Sequence, residues 1–282
     1  MKKTAIITGA DGGMGREISR AVALAGYRVI IICKNRERGE KFRDELIYVT
    51  RNTDIEMVPT DLSSLSSIRD CARYLLDRLS SADLLMNNAG TLETHYSVTS
   101  DGFERTVAVN YIAPYVLTNM LLPLMHRGSR IVNMVSCTYR TGSIGPHFFT
   151  QGREGDFWRI PVYSNTKLAL WLFTLGMAHR LKDRGITVNA ADPGIVSTRM
   201  IKMDMWFDPL TDIFFRPLIR KPRKGADMAI RLLLEPVYEG CTGGMYVSGR
   251  KKNIRGRFAD VMQAQHMLDT TADVLKDKIS LS

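Results

Sequence analysis

The feature that most constrains this chain is a strict alternation: apolar runs of strand length take turns with helix-length segments along its course. Ala5 to Thr8 reads as a buried strand, and Glu17 to Ala25 continues as a helix with small and apolar residues recurring. Val29 to Cys33 is a second strand, dense in β-branched residues and too apolar to face water on either side. A charged helix from about Glu37 to Tyr48 leads to a short strand ending near Pro59. A helix from Ser64, a strand at Leu84 to Met86, a long helix from about Phe103 to Met125 and a strand at Ile131 to Val135 repeat the pattern. A helix from about Tyr163 to Asp183 follows, with Gly185 as its left-handed stop, then strands at Thr187 to Ala191 and near Met245 to Val247. This rhythm predicts an α/β fold: a doubly wound, mostly parallel sheet with helices on both faces and right-handed crossovers. Such a sheet takes its ligands beyond the carboxyl ends of its strands. No linker or repeat interrupts it. Residues 1–258 therefore read as a single domain, with a lid around 197–223, and residues 259–282 as a polar tail of helical character.

The chemistry-bearing segments fall at those strand ends. Directly after the first strand the chain reads TGADGGMG, Thr8 to Gly15. Gly9, Gly13 and Gly15 would let the backbone approach a diphosphate closely, and the helix-start amides around Met14 favour negative charge. A tight structural turn is the competing reading, but the position between a strand and a helix favours the nucleotide one. After the second strand comes Cys33-Lys34-Asn35-Arg36, with no acid until Glu37. An acid there would bind an adenosine 2′-hydroxyl. Lys34 and Arg36, with Arg16 nearby, suit a 2′-phosphate instead, ordinary surface charge being the alternative. Asp11, inside the loop, cuts the other way. The cofactor expected is NADP(H) in preference, with NAD(H) left open.

Tyr163 and Lys167 stand four apart in YSNTKLALWLF, on one face of a helix. Reducing a carbonyl needs a hydride on carbon and a proton on oxygen. Tyrosine ordinarily titrates near 10. Opposite charges ~4 Å apart interact by roughly 4 kcal/mol at an effective dielectric of about 20. Lys167 is therefore expected to lower the tyrosine pKa by up to about 3 units before desolvation takes some back.

Thr8-Gly9-x-x-x-Gly13-x-Gly15, Asp61-Leu62, Asn87-Asn88-Ala89-Gly90, Asn110, Ser136, Tyr163-x-x-x-Lys167 and Asp192-Pro193-Gly194 together resemble the short-chain dehydrogenase/reductase family. The motifs run in the family's order, and the Asn-Asn-Ala-Gly segment fits its single-domain branch. CKNRERGEKF and the long stretch between Ser136 and Tyr163 resemble the retinol-dehydrogenase-like reductases. The resemblance implies a Rossmann fold and an oxidoreductase acting on alcohol and carbonyl groups. By resemblance Tyr163 is the acid/base, Lys167 also binds the nicotinamide ribose, Ser136 hydrogen-bonds the substrate oxygen, and Asn110 holds a water that links Lys167 to solvent. Asp61 and Leu62 would contact adenine, and Asn88, Ala89 and Gly90 would pass under the adenosine-side ribose or support the sheet. Pro193, Gly194, Ile195 and Thr198 would hold the carboxamide. Asp192 is left between that role and capping a turn.

Between Ser136 and Tyr163 lie His147, Phe148, Phe149, Phe157 and Trp158; after Thr198 come Met200, Met203, Met205, Trp206, Phe207, Phe214 and Phe215. Either these roof a site for a bulky apolar aldehyde or ketone, or they pack the lid and an interface. Tyr111 to Met125 and Leu168 to Ala178 offer surplus apolar surface, leaving a homodimer open. The net charge of +10 suits phosphorylated ligands. Basic clusters at Arg216 to Lys224 and Arg250 to Arg257 lack a nucleic-acid motif, so nucleic acid is not expected, and contact with a membrane surface stays open. Four scattered cysteines, no signal-peptide core and no uninterrupted apolar span read as a cytoplasmic protein without metal. The rival from another class is a non-catalytic NADPH-binding sensor or scaffold.

Overall fold

Two interleaved sets of apolar residues on the central strands decide the layering. Ala5, Ile7, Val29 and Ile31 point to one face; Ile6, Ile30 and Ile32 point to the other, and all are buried. A strand apolar on both sides must be covered on both sides. The computed structural model describes residues 2–151, 155, 157–194 and 221–279. Within them seven parallel strands, Thr4–Thr8 (β1), Arg28–Cys33 (β2), Ile55–Pro59 (β3), Ala82–Asn87 (β4), Met125–Met134 (β5), Thr187–Ala191 (β6) and Met245–Val247 (β7), are joined by Arg250–Lys251 (β8), antiparallel to β7. Their order is β3-β2-β1-β4-β5-β6-β7-β8. The strand order reverses between β1 and β4, and that reversal opens a crevice beyond their carboxyl ends. The expected doubly wound Rossmann architecture is present.

One face carries Gly13–Leu24 (α1), Arg36–Thr50 (α2) and Pro222–Leu234 (α3). The other carries Leu65–Arg78 (α4), a composite helix (α5) and Arg159–Arg180 (α6). The composite α5 consists of Arg105–Val107, a π turn Ala108–Ile112, and Ala113–Leu121. Asn35 starts α2 by accepting from the Arg38 amide at 2.8 Å, and Ser64 starts α4 by accepting from the Ser67 amide at 3.3 Å. Two helices differ from the sequence reading. α6 begins at Arg159 because Pro161 lies in its first turn, where a missing N–H costs nothing. α3, which the sequence reading did not pick out, starts on Pro222 for the same reason.

The segment read as a polar tail folds onto the body. Val261–Leu275 (α7) places Ala264, Met267, Leu268, Thr271 and Leu275 on one buried stripe. Asp260 caps it through the Met262 and Gln263 amides. The Tyr111 and Thr271 hydroxyls meet at 2.6 Å, the Tyr115 hydroxyl donates to the Leu268 carbonyl at 3.2 Å, and Trp171 Nε1 donates to the Phe258 carbonyl at 2.7 Å. A Cβ on Gly176 would stand 2.7 Å from Leu268. Apolar surface on α5 and α6 that suggested a helical dimer is thus filled from within the chain. Arg105–Leu124 is long and apolar enough to cross a membrane, but most of it is buried in this core.

Candidate active site

At the crevice, backbone closeness is enforced by glycine. Gly9 has a φ of 60°, and a Cβ there would lie 2.8 Å from Ala89 Cα. A Cβ on Gly15 would fall 2.1 Å from the Gly9 carbonyl oxygen. The loop is clamped from β4: Asn88 Nδ2 donates to the Thr8 and Gly9 carbonyls at 3.0 and 3.1 Å, and the Asn88 and Ala89 amides donate to Thr8 Oγ1. Asn88 and Ala89 therefore support the loop directly. Asn88 Oδ1 stays buried without a donor among the described residues. The Arg16 amide closes the first turn of α1 on the Gly12 carbonyl, so the amides of Gly13, Met14 and Gly15 precede the helical ladder. Among the described residues no side chain caps α1, whose N-cap is Gly12, and its first turn holds no acid. That donor set fits the diphosphate of a dinucleotide.

At the end of β2 the cations sort differently from the sequence reading. Lys34 Nζ lies 3.0 Å from Asp61 Oδ2. The Asp61 carboxyl sits below its usual range: burial acts against ionisation, but Ser63 and Lys34 outweigh it. Its other oxygen accepts from the Ser63 amide and hydroxyl at 2.9 and 2.7 Å, and Leu62 beside it is buried. Arg36 turns along its own helix to Glu40, 3.4 Å away. Arg16 pairs with Glu45 and covers the Phe42 ring at 4.3 Å. Arg38, which the sequence reading passed over, pairs with Asp11 of the glycine loop. Helical spacing explains the exchange: Asn35 caps α2, so Arg36 and Arg38 point to different sides of its first turn. The Cys33 thiol, buried and next to Asp11, is pushed up to about 12.

Ser136 follows β5, and Tyr163 and Lys167 share a face of α6. Ser136 Oγ accepts from the Thr138 amide at 3.3 Å, and the side chain stands close enough to the Tyr163 phenol to act on its titration. Lys167 is 3% exposed, donates to the Met134 carbonyl at 3.0 Å and lies 5.4 Å from the Tyr163 ring centre. The expected lowering of the tyrosine pKa is overturned. Burial pushes the half-buried phenol up to about 12, Ser136 acts against that rise, and Cys137 and Asp192 add to it. Burial also pushes Lys167 down to about 8. The ammonium faces the ring and a carbonyl instead of the phenol oxygen, so desolvation wins.

Asn110 sits in the π turn of α5. Its Oδ1 accepts from the Thr91 amide at 2.7 Å, and its Nδ2 donates to the Thr91 carbonyl at 2.9 Å and to Thr166 Oγ1 at 3.1 Å. Gly90 makes room: a Cβ there would stand 3.3 Å from Asn110 Oδ1 and 3.6 Å from Lys167 Nζ. The structure thus brings Gly90, Asn110 and Lys167 together, and Ser136 to Tyr163. Asp192 directly follows β6 and accepts from the Gly194 amide at 3.0 Å, with Pro193 between them. Its second oxygen is held by Lys252 at 2.7 Å, a partner no motif announced. Ile195 and Thr198, the lid around 197–223 as far as residue 220, and its aromatic and methionine residues from Met200 to Phe215 lie outside the described residues.

The other aromatic insert divides. Phe148 meets Tyr111 edge-on at 5.5 Å and is buried in the core, while Phe149, half-buried, packs at 6.2 Å from Phe103. Phe157 stands 5.9 Å from Tyr96, while Trp158 is 73% exposed just before α6 and His147 is exposed.

A family model described as short chain dehydrogenase matches residues 3–205. The chain belongs to the short-chain dehydrogenase/reductase family. It is an oxidoreductase acting on alcohol and carbonyl groups with a nicotinamide dinucleotide. Among its relatives this dehydrogenase is 34% identical to retinol dehydrogenase 14 of Mus musculus, over 95% of this chain and 84% of the relative. It is 32% identical to retinol dehydrogenase 11 of Mus musculus, over 97% and 86%. An uncharacterized protein from Mycobacterium paratuberculosis has a solved structure that superposes with a TM-score of 0.78 at 26% identity, covering 97% of this chain and 93% of that one. A blue fluorescent protein from a metagenomic library, solved in complex with NADPH, superposes at 0.70 with 26% identity, covering 88% and 96%.

Proposed function

We propose that the enzyme prefers NADP(H) and interconverts a bulky apolar aldehyde or ketone with its alcohol, using Tyr163 as acid/base. The observation that carries the proposal is the cationic end of β2 placed on the same crevice as Ser136, Tyr163 and Lys167. Lys34 and Arg38 are 65% and 59% exposed although each touches a carboxylate, so both remain able to meet a 2′-phosphate. The NADPH-bound solved neighbour and the retinol dehydrogenase relatives support the cofactor and an apolar substrate respectively.

When bound, the nicotinamide supplies or receives the hydride. The chain's residues manage the proton. A phenol held near 12 is neutral at physiological pH, so Tyr163 is ready to donate to a carbonyl oxygen. Ser136, beside that phenol, orients the same oxygen. Lys167, buried beneath the ring and near Asn110, places a cation beside the tyrosinate that donation leaves. Gly13 to Gly15 hold the diphosphate, and Pro193 and Gly194 border the nicotinamide end.

Fluorescence titration with NADPH and NADH in parallel tests the cofactor, followed by a screen of apolar aldehydes and ketones with the tighter dinucleotide. Selective NADPH binding with turnover is expected. Equal or tighter NADH binding would overturn the preference. Tight NADPH binding without turnover of any carbonyl in the screen would favour the sensor reading.

A further inference from the structure

Buried charge near Tyr163 does not end with Lys167. Asp192 is 1% exposed and borders the turn to Gly194, whose φ is 72°. Its Oδ1 accepts from the Gly194 amide at 3.0 Å and its Oδ2 from Lys252 Nζ at 2.7 Å. Lys252 arrives from the β7–β8 hairpin, anchored by its own amide on the Met245 carbonyl at 2.7 Å. Its side chain is only 18% exposed, and its ammonium lies 5.4 Å from the Tyr139 ring centre. The ion pair is therefore shielded, and water does little to screen it.

The Val135 amide donates to the Ala191 carbonyl at 3.0 Å, and Met134, which accepts from Lys167, pairs with Ala191. Asp192 and Ser136 thus leave neighbouring strands side by side. From there Asp192 adds to the charge met by the Tyr163 phenol and, more remotely, by the Arg140 guanidinium. Among the described residues the phenol faces Ser136 and Cys137 from the segment after β5, Lys167 from its own helix and Asp192 from the end of β6. Arg140 is exposed and engaged with the Tyr139 hydroxyl at 3.4 Å, so it answers Asp192 only from a distance. Lys252 is the cation in contact.

We propose that Lys252 is a positioning residue for proton transfer at Tyr163: by neutralising Asp192 it sets the charge the phenol faces, and it fixes the turn that carries Gly194. This rests on the acid/base reading of Tyr163 given above. In alcohol oxidation the substrate O–H proton passes to the Tyr163 phenolate as hydride leaves the carbon for the oxidised nicotinamide. A carboxylate without its cation opposes the phenolate, so the phenol keeps its proton to higher pH. A cation without its carboxylate does the reverse.

The test uses the whole chain and the variants Lys252→Met, Asp192→Asn, the double variant and Lys252→Arg. The readout is Tyr163 phenolate absorbance in the cofactor-free protein, taken as the difference between each variant and the same variant carrying Tyr163→Phe. The pH profile of alcohol oxidation runs beside it. Asp192→Asn is expected to lower the phenolate midpoint by about one pH unit, a tenfold change. The double variant and Lys252→Arg should stay near the parent. Lys252→Met should push phenolate formation beyond the range of folding and cut oxidation about tenfold at fixed pH. Should Lys252→Met fail to fold, Asp192→Asn and the double variant decide alone. A midpoint in Asp192→Asn equal to or above the parent would overturn the proposal, as would a double variant that tracks Asp192→Asn. Absence of turnover in the parent would count against the acid/base reading instead, and the absorbance order would still be measured.

Discussion

At the end of β2, Lys34 and Arg38 keep more than half of their side chains in water while touching Asp61 and Asp11. At the end of β5, Lys167 is 3% exposed and its ammonium goes to the Met134 carbonyl. The first arrangement is a set of exposed pairs, each contributing about 0–1 kcal/mol to the fold, whose cations can be recruited by a ligand at little cost. The second is a buried charge, for which loss of hydration outweighs attraction to any one neighbour. Proximity of a lysine to a tyrosine lowers the phenol pKa only where their attraction outweighs the loss of hydration. Here burial reverses the sign and keeps the phenol protonated.

The largest effect expected on this contrast is at the buried end. Tyr163→Phe should cut turnover by about 10³-fold or more while leaving the dinucleotide Kd within about threefold, measured by steady-state kinetics and fluorescence titration. Activity surviving that change would remove the mechanism. Next comes the loop itself. Gly15→Ala drives a methyl to 2.1 Å from the Gly9 carbonyl, so thermal unfolding should show a loss of about 2–3 kcal/mol, accompanied by loss of dinucleotide binding.

Lys167→Met sharpens the comparison through pH. The Lys167 folded-state value of about 8 lies below the ordinary 10.5. Between those values the unfolded chain binds the proton and the native one does not, so the parent gains stability as pH rises. The methionine variant should therefore be more stable than the parent at pH about 6, by about 2 kcal/mol, and lose that advantage through the window. A constant difference across pH would show that the ammonium is not desolvated. The smallest effect belongs to the exposed end. Lys34→Ala should weaken NADPH about tenfold and NADH less than about twofold, while Arg36→Ala, turned toward Glu40, should change neither.

The alternation of strands and helices was legible because each central strand is apolar on both faces, as Val29 to Cys33 show. So was the site's composition: Gly9, Gly15, Ser136, Tyr163 and Lys167 stand at strand ends and on one helix face, as periodicity requires. What escaped were partners and solvent. No spacing rule links Lys252 to Asp192 or Arg38 to Asp11, since each pair forms only when distant segments fold together. Burial of Phe148 against Tyr111 was equally hidden, because an aromatic insert reads the same whether it roofs a pocket or fills a core. The one-sided stripe of α7 was present in the letters, but the polar glutamines, threonines and aspartates between its members disguised it as a solvated tail.

The π turn at Ala108–Ile112 has a consequence for how this chain can change in length. A π turn carries one residue more than the α-helical path around it. Deleting any one residue between 108 and 112 would regularise the helix and leave its two ends nearly in phase, because the turn already absorbs the extra residue. Asn110 or its replacement would then miss the Thr91 backbone, although the composition of the helix had hardly altered. Point substitutions around it, by contrast, leave the register intact. A one-residue deletion here would thus spare the packing on either side of the turn and fall on the contacts of Asn110 itself.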